Sequence, residues 1–118
     1  MRDFKTLQVW QKAHQLTLGV YELTRQFPKD EQYALTSQIR RCAVSIPSNI
    51  AEGCGRSGDV ELARFLQISM GSSSELEYQL LLARDLHYVD ELLYTRIEEQ
   101  LLEVKRMLNS FIQKLRQS

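Results

Sequence analysis

The 118-residue chain is poor in residues that break or staple a fold, with five glycines, two prolines and two cysteines. Few breakers mean few turns, so the elements between them are expected to be long. Cys42 and Cys54 lack the spacing of metal ligands. On a helix they would stand roughly 18 Å apart at ~1.5 Å per residue, whereas a disulfide needs Cα atoms within ~7 Å. This implies a reduced, cytoplasmic protein. No stretch approaches the ~20 apolar residues of a membrane span, and no basic-then-apolar opening marks a signal peptide. Net charge is also lacking. The balance is uneven, however: residues 1–58 carry eight Lys/Arg against five Asp/Glu, and residues 59–118 carry seven against ten. A basic face on the first half is therefore compatible with overall neutrality.

What remains is an ordinary soluble composition, 43% apolar and 25% charged. The length fits one domain, residues 1–118, able to bury a core without metal or disulfides. Sustained alternation of period two is absent, so no sheet is expected. Helical period is plain. Val9, Ala13, Leu16, Val20, Leu23 and Phe27 form one stripe that stops at Pro28. Leu35, Ile39, Cys42, Ile46 and Ile50 form a second, behind Asp30 as the expected cap. Leu62, Leu66, Ser69, Ser73, Leu76, Leu80, Ala83 and His87 form a third, with Asp59 at its start. Leu93, Ile97, Leu101, Val104, Leu108, Phe111 and Leu115 form the fourth, behind Asp90 as cap. Pro47 lies inside the second stripe, which keeps its phase from Ile46 to Ile50. One helix kinked at Pro47 is the reading. The expected fold is all-α: an antiparallel up-down-up-down four-helix bundle.

"EGCGRSG", residues 52–58, spaces Gly53, Gly55 and Gly58 as G-x-G-x-x-G. A dinucleotide loop needs a preceding strand within a βαβ unit, and a helix precedes this one. The glycines are expected to end one helix before the next begins, and no cofactor is implied. Neither His14 nor His87 follows a Glu at three residues, which excludes a di-iron bundle, so no metal is expected. Cys42 reads as a small core residue. Cys54, beside Arg56, has no identifiable base and is expected to be exposed and idle. Nothing is arranged as nucleophile, base and orienter, so the chain is expected not to be an enzyme.

The unusual content is on the other side of the second helix. Arg41, Ser45, Ser48, Glu52 and Arg56 recur at intervals of three and four, bordered by Asn49, while Arg40 points elsewhere. Serines, an asparagine and a proline are poor choices for a merely wet helix. Either the hydroxyls bond carbonyls freed at the kink, or this stripe contacts a partner. In "SMGSSSE" of the third helix, Ser69, Gly71, Ser72 and Ser73 leave room for close packing, within or between subunits, by a backbone or a ring such as Trp10.

"VWQKA" at 9–13, "FPKDE" at 27–31, "LTSQIRR" at 35–41, "SIPSNIAEG" at 45–53 and "RFLQISMGSSSELE" at 64–77 cover most of the chain. Together they resemble a four-helix-bundle family encoded in intervening sequences of bacterial large-subunit ribosomal RNA genes. That family includes the accessory variability determinant of diversity-generating retroelements. The resemblance implies a homopentameric ring that associates with RNA or a ribonucleoprotein. The alternative it implies is a protein-binding accessory subunit of a reverse transcriptase. By position, Arg40, Arg41 and Arg56 match basic residues that contact nucleic acid or a partner. Ser45, Ser48, Asn49, Glu52, Ser69, Gly71, Ser72 and Ser73 are the expected subunit contacts. Ala34 stands where a glycine is usual, and this chain is neutral where the retroelement members are strongly basic.

Overall fold

Four long helices follow from the four stripes. The computed structural model describes residues 2–117, and among them there is no strand. A short turn of 3-10 helix at Phe4–Thr6 leads into α1 (Gln8–Thr24), and a second at Lys29–Glu31 precedes α2 (Leu35–Cys54). α3 spans Gly58–Asp85 and α4 spans Glu91–Gln117. Each helix packs on two others: α1 and α3 both touch α2 and α4. The stripes meet in one core, with Leu16, Ile39, Ile46, Leu66, Leu76, Leu101 and Leu108 fully buried.

The helix ends show which caps the chain uses. Asp90 accepts from the Leu93 N–H at 2.8 Å and so starts α4, as its sequence position implies. Asp30 does not cap α2. It lies in the 3-10 turn, and the helix begins five residues later, where Glu31 Oε1 accepts from Leu35 N–H at 3.3 Å. Glu31 is fixed in that role because its other oxygen accepts from the Tyr88 hydroxyl at 2.7 Å. α1 stops at Thr24, before Pro28, and Phe27 reaches the core from the connection. Asp59 lies in the first turn of α3, inside the helix, where a carboxylate suits the macrodipole.

α3 ends in a Schellman motif. Tyr88 N–H donates to Ala83 and His87 N–H to Arg84, with His87 at φ 65°, a position usually held by glycine. His87 is therefore exposed and outside the apolar stripe in which its spacing placed it. In α4, Tyr94 and Ile112 are buried where Leu93 and Phe111 were expected, and those two are half-buried. The face is broader than a single a/d seam because α4 packs on both α1 and α3.

α2 continues without interruption through Pro47, which is buried. The proline removes the donor that Ala43 C=O would have had in the helix. The Thr17 hydroxyl of α1 stands 3.1 Å from that oxygen, and 2.9 Å from the Ala13 carbonyl of its own helix. The relief for Pro47 thus comes from a neighbouring helix, not from the serines of α2.

Candidate functional site

The seam between α2 and α3 explains why small polar residues occupy both helices. Gly53 brings the backbones together: a Cβ there would lie 2.9 Å from Phe65 Cβ and 3.0 Å from Leu62 Cδ1. Gly55 caps α2, and Gly58 opens α3 at φ 84°, where a side chain would be strained. The glycine spacing is thus a helix-to-helix junction. Further along, Ser69 Oγ donates to Ile46 C=O at 2.8 Å, and Ser73 Oγ donates to Ser69 C=O at 2.9 Å. Both serines are fully buried and present no surface to a neighbour. Ser45 and Ser72 share a hydrogen bond of 2.8 Å, and Asn49 Nδ2 donates to the Ser45 carbonyl and hydroxyl. Trp10 is elsewhere, stacked on His14 at 5.0 Å.

Outside this bonded layer the surface is open. Ser48 is exposed and its hydroxyl makes no hydrogen bond among the described residues, and a Cβ on Gly71 would meet nothing within 4 Å. Large apolar side chains are exposed on the same two helices: Val44 on α2, and Val60 (84% exposed), Ile68 (42%) and Tyr78 (61%) on α3. Sequence reading passed over these because they fall outside the core stripes. The available signal was that α3 has apolar residues on more than one side.

The three arginines do not form one patch. Arg40 turns inward to α1, its Nε donating to Thr24 Oγ1 at 2.8 Å while its guanidinium lies 4.8 Å over the Tyr21 ring. Arg56 pairs with Glu52 at 2.9 Å and lies over Phe65. Arg41 is exposed, and among the described residues its side chain bonds only Ser37 Oγ, at 3.3 Å. Arg41 lies in the first half of α2, whereas Arg56 lies beyond its end, in the connection to α3.

An open groove of about 450 Å³ runs between Arg41, Gln38 and Ser45 on one wall and Ser72, Glu75 and Gln79 on the other. Cys42 lines it, with its thiol donating to Ser72 C=O at 3.1 Å. Burial, with Glu75 nearby, pushes that thiol up to about 12, so no nucleophilic thiolate forms near neutrality. Cys54 was expected to be exposed, yet it is 2% exposed and closes the core at the end of α2. Burial raises its pKa as well. No group of three or more His, Cys, Asp or Glu among the described residues could hold a metal, and no helix is long and apolar enough to cross a membrane.

Comparison with known proteins agrees with this architecture. One crystal structure, a protein of unknown function from the S23 ribosomal protein family of Bacteroides thetaiotaomicron, is similar at a TM-score of 0.80 and 26% identity. The alignment covers 88% of this chain and 97% of that one. No curated protein matches the chain. The family model described as 23S rRNA-intervening sequence protein matches residues 5–110, nearly the whole helical domain. The chain belongs to the 23S rRNA-intervening sequence protein family.

Proposed function

We propose that this protein is a non-enzymatic, cytoplasmic scaffold that assembles into a homopentameric ring and associates with RNA or a ribonucleoprotein. We also read its helices as running up, down, up and down, with α2 bent at Pro47. Contacts along α1 support that direction, since Thr17 meets Ala43 whereas Thr24, further along, meets Arg40. The observation that carries the assembly is the outer face of α2 and α3. Its inner stripes are already buried, yet Val44 stands exposed with Ser48 on α2, and Val60, Ile68 and Tyr78 stand exposed with Gly71 on α3. A helix that stays apolar on the side turned away from its own core has surface for a further neighbour. A heterologous contact that closes supplies that neighbour in every copy of a ring.

Association with a reverse transcriptase, through protein contacts alone, is the second reading. It is favoured by the engagement of Arg40 and Arg56 inside the chain, which leaves Arg41 as the free one of the three arginines. Light scattering tests the assembly: a mass five times the 13.8 kDa chain is expected, and a monomer at micromolar concentration would overturn it. Ser48→Leu should disturb the ring, whereas the same change at exposed Gln113 on α4 should not. For the partner, binding of single-stranded and structured RNA at low salt supports the first reading. An intact ring that binds neither favours the second.

A further inference from the structure

At one end of the molecule Arg2 ties α2, α3 and α4 to the start of the chain. Its N–H donates to Cys54 C=O at 3.0 Å, and its guanidinium lies 3.6 Å from Asp59 and 5.5 Å over the Phe111 ring. Lys12 reaches Glu103 across α1 and α4 at 3.5 Å. The fold thereby gathers residues 2–12, 52–67 and 103–117, which hold nine Lys/Arg against five Asp/Glu. The remaining stretches, 13–51 and 68–102, hold six against ten. A neutral chain becomes a rod 45 Å long with +4 in the first set of stretches and −4 in the second, the two sets meeting where Lys105 pairs with Glu77 at 2.7 Å. This division differs from the one along the sequence, because the basic end of α4 joins the basic start of the chain.

An open cleft of about 810 Å³ lies in the positive set, between the start of α1 and the end of α4. Leu7, Met107 and Phe111 form its apolar floor, and Arg2, Arg106 and Lys114 its rim. Among the described residues of the lining Asp59 is the one carboxylate, and it faces Arg2. Arg106 and Lys114 are exposed and have no carboxylate partner among the described residues. They are eight residues apart on α4, a rise of ~12 Å, far enough apart to meet two different phosphates of one strand. The stacked Arg2–Phe111 pair supplies what a phosphate site alone would not need. Aromatic rings and guanidinium planes are the surfaces on which unpaired bases stack.

We propose that this cleft, rather than the arginines of α2, is the RNA contact of the scaffold. It takes a single-stranded segment, with phosphates on Arg106 and Lys114 and a base against Arg2 and Phe111. The proposal rests on the RNA-associating reading above. An acidic peptide would meet the same cations but leave the stacked pair unused, so the ring discriminates between them.

The test is fluorescence anisotropy with a labelled oligouridine strand and an RNA hairpin duplex, across a salt series. Arg106→Glu/Lys114→Glu alters exposed sites only, and thermal melting checks that it folds. It should weaken strand binding at least tenfold at low salt and flatten the slope of log K against log salt by about 1.4 units, ~0.7 for each lost phosphate contact. Phe111→Leu keeps an apolar side chain without the ring and, once thermal melting shows that it folds, should weaken strand binding about tenfold while leaving the duplex within twofold. Arg40→Glu/Arg41→Glu should leave both within twofold. If the wild type binds RNA and Arg106→Glu/Lys114→Glu binds as well, the cleft is wrong and the RNA reading stands. If the wild type does not bind even at low salt, both fall. Binding that survives Phe111→Leu and is displaced by polyglutamate would overturn the proposal in favour of an acidic peptide.

Discussion

The seam of α1 with α4 and the seam of α2 with α3 are built on different physics. On the first, Leu16, Val20, Ile97, Leu101 and Val104 meet as apolar bodies, with Gly19 giving way to Ile97. On the second, the contact is made by Gly53 against Phe65, by Ser69 on the Ile46 carbonyl, and by the Ser45–Ser72 and Cys42–Ser72 bonds. Apolar packing is non-directional, so it accepts changes that conserve volume. Hydrogen bonds to particular carbonyls fix one register, and they punish loss of a partner more than loss of volume. The hydroxyl-rich seam thus holds α2 and α3 in a fixed relation, and these helices carry the exposed apolar face on which the proposed ring depends.

The sharpest way to break this contrast is to change volume on each side. Leu101→Ala empties a fully buried site on the apolar seam and should cost about 2–5 kcal/mol. Gly53→Val forces atoms into a space where even a Cβ lies 2.9 Å from Phe65 Cβ, and should cost about 3 kcal/mol or prevent folding. Leu101→Met, by contrast, should cost under ~1.5 kcal/mol, because the apolar seam can repack. Chemical denaturation of the three variants measures the ordering. A cheap Gly53→Val would mean that the two seams are equally plastic.

A smaller effect sharpens the polar side. Thr17→Val keeps the shape but removes the hydroxyl beside the carbonyl that Pro47 leaves without a helical donor, and should cost about 1–3 kcal/mol. Pro47→Ala restores that donor. In the Pro47→Ala background, Thr17→Val should therefore cost measurably less, and a double-mutant cycle reads the difference as a coupling of about 1 kcal/mol. Strict additivity would show that Thr17 serves its own Ala13 carbonyl alone.

The smallest change lies outside both seams, at the C-terminus of α3. His87→Gly should stabilise the fold by about 0.5–1 kcal/mol, because glycine adopts the left-handed backbone at φ 65° without a Cβ penalty. A shift of the melting temperature upward is the expected reading, and a downward shift would assign the imidazole a structural role.

Much of this fold was legible in the sequence. The four stripes named most of the core, from Val9 and Leu16 through Ile50 and Leu66 to Leu108. The glycine cluster marked the junction of α2 and α3, and Asp90 marked the start of α4. The start of α2 was misread because Asp30 is a good cap by type, yet Glu31 makes the bond after being positioned by Tyr88, 57 residues away. Cys54 was misread because its exposure depends on how closely Gly53 lets α3 approach. Of the residues singled out for contact, Ser69 and Ser73 turned inward, while Ser48 and Gly71 stayed open. Spacing along one helix fixes a direction around its axis, but not which neighbour lies in that direction.

The sequence by itself determined the number of helices, their inner faces and the absence of strands among the described residues, because those follow from local period and breaker positions. Only the tertiary structure decided where charge and polarity gather. Pro47 is relieved by Thr17, 30 residues earlier in the chain, and Arg106 and Lys114 of α4 flank a cleft with Arg2. Those pairings join distant parts of the chain, and their energies depend on distance in space, which no periodicity encodes.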